Sequence, residues 1–217
     1  MEPEGACLKG ARGRVSDGTG GRTALAEALF RVGALRFGRS TLASGKTTSY
    51  TLDLGVVPSD PEAYGLAIDA YRALATSVGE AGFDAVAGVA TAGVTFASPL
   101  AYVLKKPMLA VGREQSERGF AQPVVGAAYP GCRTLVVDDY VSSGERIRFA
   151  AEALRKTRCV VKDAIVLVDR QEGGKANLSA AGLRLTAFVD VEALAEILFE
   201  AKKITKASFE AVVKQLR

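Results

Sequence analysis

Thr134-Leu-Val-Val-Asp138-Asp139-Tyr140-Val141-Ser142-Ser143-Gly144-Glu145-Arg146 sets the reading of the whole chain. An apolar run of strand length ends in two adjacent carboxylates. A short loop of hydroxyls and glycine follows, and then a helix with Ile147, Ala151 and Leu154 on one face. This is the make-up of an anion site. A loop running into a helix N-terminus offers unpaired backbone N–H groups and a partial positive charge. Ser142 and Ser143 add hydroxyl donors, and Gly144 lets the backbone approach a ligand closely. Two carboxylates beside a phosphate make sense if they accept hydrogen bonds from sugar hydroxyls or help hold a metal. Any one of these residues has a plain structural reading, as a strand end or a helix cap. The whole run in this order favours a site.

Working outward, apolar strand-length runs at Ala85–Ala90, Met108–Val111, Thr134–Val137 and Ala164–Val168 alternate with helical stretches at Phe96–Leu104 and Gly144–Lys156. Alternation of this kind predicts an α/β fold, with a central parallel sheet flanked by helices on both faces. A short strand around Leu183–Phe188 and helices at Val191–Ala201 and Lys206–Leu216 complete the C-terminal part. Upstream, Leu25, Leu29 and Val32 recur at helical spacing before Gly33. The stretch 37–55 reads as short strands around a Ser44-Gly45 turn, and Pro61–Val78 as a helix. Residues 1–22 contain six glycines and few large apolar groups, so they are expected to form a disordered leader. Residues 23–217 are expected to form a single domain, with a small N-terminal α+β hood mainly over 23–60 and a core mainly over 61–200.

The 217 residues are 48% apolar and 24% charged, which suits one globular domain with a real core. The net charge of +4 favours acidic small ligands but is too small an excess to indicate nucleic-acid binding. Three widely spaced cysteines, Cys7, Cys132 and Cys159, fit a reducing cytoplasm rather than a disulfide framework. The chain has no histidine, which removes His triads, His metal sites and imidazole bases. No apolar run approaches the roughly 20 residues of a membrane span.

The run VVDDYVSSGERI resembles the phosphoribosyl pyrophosphate (PRPP) motif of type I phosphoribosyltransferases. That resemblance implies that Asp138 and Asp139 hold the ribose hydroxyls, while Tyr140 and the residues Val141, Ser142, Ser143, Gly144, Glu145 and Arg146 wrap the 5′-phosphate. It also implies Mg2+ held mainly by PRPP near the two carboxylates, with no confident direct protein ligand, in line with the preference of magnesium for phosphate oxygens and water. Gly33–Leu54 is similar to the N-terminal signature of orotate phosphoribosyltransferases, with Ser40 in place of the usual phenylalanine. By resemblance, backbone near Ser44, Gly45 and Lys46 meets the pyrimidine edge. The stretch Val168-Asp169-Arg170-Gln171-Glu172-Gly173-Gly174 resembles a second signature of that family. It implies that Arg170, with Ser142 beside it, binds the orotate carboxylate, for which a guanidinium is well shaped. Thr91, Ala92 and Gly93, after the strand at Ala85–Ala90, resemble the family's pyrophosphate loop.

The family's lid departs most. It matches residues 112–119, where Arg113 and Arg118 supply positive charge, but Ser116 stands where a catalytic lysine is expected and Gly112 where an arginine is expected. Together the resemblances imply that PRPP and orotate give orotidine 5′-monophosphate and pyrophosphate, as a step toward UMP. Asp138, Asp139, Arg113 and Arg118 are the catalytic candidates, and a homodimer with each lid acting on the partner's site is expected. Two other readings stay open. One is a phosphoribosyltransferase for a different base. The other is a non-catalytic PRPP-sensing regulator, favoured by Ser116 and opposed by the carboxylate clamp. Association with a separate decarboxylase is also open.

Overall fold

The computed structural model describes residues 19–41, 45, 47–112 and 123–216. Helix α1 (Thr19–Arg31) is followed by the antiparallel strands β1 (Leu35–Thr41) and β2 (Thr47–Leu52), which form a two-stranded sheet of their own. Then come α2 (Pro61–Val78), β3 (Ala85–Val89), α3 (Ala92–Leu104), β4 (Met108–Val111) and β5 (Val124–Val125). The chain ends with β6 (Thr134–Val141), α4 (Glu145–Lys156), β7 (Asp163–Asp169), α5 (Gly174–Ala180), β8 (Arg184–Asp190), α6 (Val191–Glu200) and α7 (Lys206–Leu216). Helix α1 starts inside the stretch read as a leader, with Thr19 to Arg22 already helical, and residues 1–18 lie outside the described residues.

The main sheet has the order β5-β4-β3-β6-β7-β8, parallel except for β5 at one edge. From β3 the chain winds one way to β4, and from β6 it winds the other way to β7 and β8. The strand order therefore reverses between β3 and β6, where open α/β sheets form a crevice at the strands' C-terminal ends. Side-chain alternation sorts the core into two layers. Leu135, Val137, Ile165 and Leu167 face α1, α2, α3 and α6, while Val136, Ala164 and Val166 face α4 and α5. Burial on both faces is why these strands read as unbroken apolar runs.

Sequence signals account for the local boundaries. Helix α2 starts where Asp60 accepts a hydrogen bond from the Ala63 N–H at 2.8 Å and Pro61 takes the first turn, and it stops at Gly79. The two-stranded sheet has no core of its own, since Leu35 and Tyr50 join the same cluster as α1 and α2. The C-terminal helix α7 returns to β2, where the Gln215 side-chain oxygen accepts from the Ser49 N–H at 2.7 Å and from the Ser49 hydroxyl at 2.8 Å.

Strand β6 corrects the sequence reading. It does not end at Val137 but runs on through Asp138, Asp139 and Tyr140 to Val141, in register with β7. The apolar run stops at the carboxylates, yet the backbone ladder does not need apolar side chains to continue.

Candidate active site

Asp138 and Asp139 sit inside the last half of β6, 1% and 3% exposed. Burying two adjacent carboxylates is costly unless they are paired. Arg146, in the first turn of α4, supplies the pairing. Its Nη2 donates to Asp139 Oδ1 and lies 3.1 Å from Asp138 Oδ2. Its guanidinium also rests 5.0 Å from the Tyr140 ring centre. The compensation is incomplete. Asp138 Oδ1 accepts from the Asp139 N–H at 3.0 Å, but Asp138 Oδ2 is buried with no hydrogen bond, since the Arg146 contact is an ion pair without hydrogen-bond geometry. Burial, reinforced by the neighbouring Asp139, pushes the Asp138 carboxyl well above the usual carboxylate range. Asp138 Oδ2 thus lacks a hydrogen-bond donor among the described residues of the ligand-free chain, and Asp138 lines the cavity of the β6 loop.

The backbone behind the pair is held from α2. The fully buried Tyr71 donates its hydroxyl to the Asp138 carbonyl at 2.7 Å. From α3, Gly93 packs so tightly that a Cβ there would lie 2.6 Å from the Val137 carbonyl oxygen and 3.0 Å from Asp138 Oδ1. Gly93 thus packs against the strand end that carries Asp138, with Thr91 and Ala92 just before it in the chain, and the Ala90–Thr91 peptide is cis.

Beyond Val141 the loop expected from the sequence is present. Asp138 and residues 140 to 147 line a cavity of about 220 Å³. Gly144 turns the chain into α4 with φ of +85°, a value that L side chains rarely adopt. Asn177 on α5 fixes the loop by donating to the Ser143 carbonyl at 2.9 Å. A larger cavity of about 670 Å³ lies between β2 and α7, but no carboxylate and no amide of the β6 loop lines it. Chemistry rather than volume therefore locates the site at the smaller one.

Arg170 follows β7, and its backbone N–H donates to the Val141 carbonyl at 2.9 Å, which places it beside the loop and Ser142. Its side chain is 12% exposed. The Nε donates to the Tyr50 hydroxyl at 3.2 Å, and the guanidinium carbon lies 5.2 Å from the Tyr50 ring centre and 5.6 Å from that of Tyr140. Its Nη2 pairs with Glu172 Oε1 at 2.8 Å. Cation–π contact with two rings, together with the Nε hydrogen bond, restrains the fork that a carboxylate-binding arginine uses.

The structure therefore brings Asp138, Tyr140, Val141, Ser142, Ser143, Gly144, Glu145 and Arg146 to one cavity, ties Asp139 to it through Arg146, and packs Arg170 and Gly93 against the same end of β6, with Thr91 and Ala92 next to Gly93 in the chain. Gly45 is described, with φ of +80°, at the tip of the β1–β2 hairpin. Ser44, Lys46, Arg113, Arg118 and Ser116 lie outside the described residues. Tyr50, Tyr71, Glu172 and Asn177 received no site role from the sequence. Tyr71 was visible only as part of an apolar helical face, although a buried phenol needs a partner. Among the described residues no group of three or more Cys, Asp or Glu is gathered for a metal.

Comparison with known proteins matches residues 64–181 to the family model of the phosphoribosyl transferase domain. The chain is 32% identical over 192 residues to orotate phosphoribosyltransferase of Caenorhabditis elegans, covering 88% of this chain and 83% of that protein. It is 34% identical over 188 residues to uridine 5′-monophosphate synthase of Bos taurus, covering 87% of this chain but only 39% of that longer protein. Among solved structures, orotate phosphoribosyltransferase from Aeropyrum pernix superposes with a TM-score of 0.73 at 35% identity, over 81% of this chain and 98% of that one. With the domain match spanning more than half of the sequence and these identities sustained along most of it, the chain belongs to the orotate phosphoribosyltransferase family.

Proposed function

We propose that this site transfers the 5-phosphoribosyl group of PRPP to orotate, giving orotidine 5′-monophosphate and pyrophosphate in pyrimidine (UMP) synthesis. The observation that carries the reading is Arg170, a guanidinium in contact with the Tyr50 and Tyr140 rings beside the β6 loop, where it can grip a carboxylated base. Ribose hydroxyls donate to Asp138 and Asp139, using the open Oδ2 of Asp138. The loop of Val141 to Arg146 takes the 5′-phosphate through backbone N–H groups and the Ser142 and Ser143 hydroxyls. Thr91 to Gly93 face the diphosphate from the opposite wall.

The residues present fit a magnesium ion that arrives on the diphosphate. Two carboxylates already engaged by Arg146 stand near the ribose, and among the described residues no carboxylate cage competes with phosphate oxygens and water. When bound, Mg2+ supplies positive charge that neutralises the leaving diphosphate. The protein's own part is to align the base nitrogen with the ribose C1, hold the departing diphosphate and exclude water. Orotate N1 bonds to C1 as the C1–diphosphate bond breaks, so no covalent enzyme intermediate is needed. Arg113 and Arg118 belong to this reading as lid cations, together with Ser44 and Lys46 near the base edge. So do a homodimer with each lid reaching the partner's site and a cytoplasmic setting. No helix among the described residues is long and apolar enough to cross a membrane.

The test is purified protein with PRPP, Mg2+ and orotate, followed by loss of orotate absorbance. Turnover establishes the reaction and shows that the chain works with Ser116 in its lid. Tight PRPP binding without turnover of orotate or another base moves the case to a PRPP-sensing regulator, the reading that Ser116 favours. Turnover only with another base reassigns the acceptor.

A further inference from the structure

The Arg170 fork has one hydrogen-bonding edge to offer a ligand. Its Nε is committed to the Tyr50 hydroxyl, and the Tyr50 and Tyr140 rings pack against it. A carboxylate seeking two parallel hydrogen bonds must therefore use the edge formed by Nη1 and Nη2. The Nη2 end of that edge is already paired with a carboxylate, as an ion pair without hydrogen-bond geometry. Glu172 Oε1 lies 2.8 Å from Nη2, with the Glu172 side chain 40% exposed. The turn brings it there. Asp169 Oδ1 accepts from the Gln171 N–H at 2.7 Å, and Gln171 adopts a left-handed φ of +58°, so the chain doubles back and returns Glu172 over the arginine two residues before it.

We infer that Glu172 is a resident stand-in for the substrate carboxylate. It holds Arg170 aligned while the base half is empty, and orotate must displace it on binding. The inference rests on the orotate reading and deepens it by naming a residue that sets affinity for the base. A rigid salt bridge would block the site, but an ion pair with one solvent-exposed partner is weak enough to exchange. The swap conserves charge, since one carboxylate replaces another on the same guanidinium and Glu172 moves into water. A base without a carboxylate has nothing to exchange and leaves Glu172 in place, so the exchange cost falls on the carboxylated base alone. Glu172 acts through Arg170 and is a positioning residue rather than a catalytic one.

The experiment measures kcat and KM for both substrates in the wild-type chain, Glu172→Gln and Glu172→Ala, with thermal melts to confirm folding. Removing the internal competitor should lower KM for orotate about two- to fivefold, the range given by an exposed ion pair. The values of kcat and of KM for PRPP should move less than that. Two variants guard against the glutamine re-forming a neutral hydrogen bond to Arg170. An orotate KM that is unchanged or raised in both variants overturns the inference. A change shared equally by kcat and by KM for PRPP also overturns it, since that marks a general disturbance of the turn. Wild-type protein that neither binds nor converts orotate sinks the underlying reading and this inference with it, and the wild-type control separates that failure from the others.

Discussion

On the proposed reading, the ribose-phosphate half of the site comes from one continuous stretch, Asp138 to Ile147, while the base half takes Tyr50 from β2, Tyr140 from β6 and Arg170 and Glu172 from the turn after β7. The two also differ in charge. The first buries two carboxylates and answers them with a single arginine. The second stacks one arginine on two aromatic rings and answers it with a glutamate at the surface. The comparison teaches that the first half is a strained store of negative charge awaiting hydroxyl donors. The second is a settled cation that has only to exchange one partner.

If the halves are separable in this way, their variants should fail on different substrates. The largest loss is expected for Asp138→Asn with Asp139→Asn, because each charged hydrogen bond to the ribose contributes about 1.5–3 kcal/mol. Steady-state kinetics should show kcat/KM for PRPP falling about a thousandfold. Arg170→Ala should lower kcat/KM for orotate about a hundredfold, with KM for PRPP within a few-fold of wild type. Equal losses on both substrates would erase the distinction.

The smaller effects test the strain. Tyr71→Phe removes the side-chain donor to the buried Asp138 carbonyl. It should cost about 1–1.5 kcal/mol, a fall in Tm of about 3 °C for a domain of this size. Asp138→Asn alone should do the opposite and raise Tm of the ligand-free protein by about 2 °C at neutral pH while impairing catalysis. The sign follows from the raised carboxyl. A group whose folded value lies above its unfolded one contributes full stability only below the unfolded value of about 3.9, and loses it as pH rises through the folded value. The advantage of asparagine should therefore shrink as pH falls toward 4, and melts across that range read it directly. A Tm gain that is constant with pH would show that ionisation of Asp138 is not its source.

What the sequence made legible follows the same division. Strands β3, β4 and β7 and helices α2 and α4 stood out because burial on two faces, or on one stripe, leaves a periodic trace. The ribose-phosphate loop was legible because its parts are neighbours in the chain. Strand β6 was read too short because two aspartates interrupt its apolar run, and α5 was missed because it is one short helix entered through Gly173-Gly174. Nothing local tells that Arg146 reaches both carboxylates, that Tyr71 props up their backbone, or that Tyr50 stacks on a residue 120 positions away. Those contacts exist only once the sheet order is set.

Tyr140 belongs to both halves, since its one ring lies beneath Arg146 at 5.0 Å and beside Arg170 at 5.6 Å. When ribose hydroxyls relieve Arg146 of the carboxylates, the guanidinium that shared the ring with Arg170 changes its footing. If the two ligands communicate through this one aromatic ring, thermodynamic reciprocity requires each to alter the other's affinity by the same factor. Titrating orotate with and without a non-reactive PRPP analogue measures that factor, and Tyr140→Leu should bring it close to one. A factor that survives the loss of the ring would place the communication elsewhere. With the shared ring as the link, the affinity for each ligand would depend on whether the other is bound, whichever arrives first.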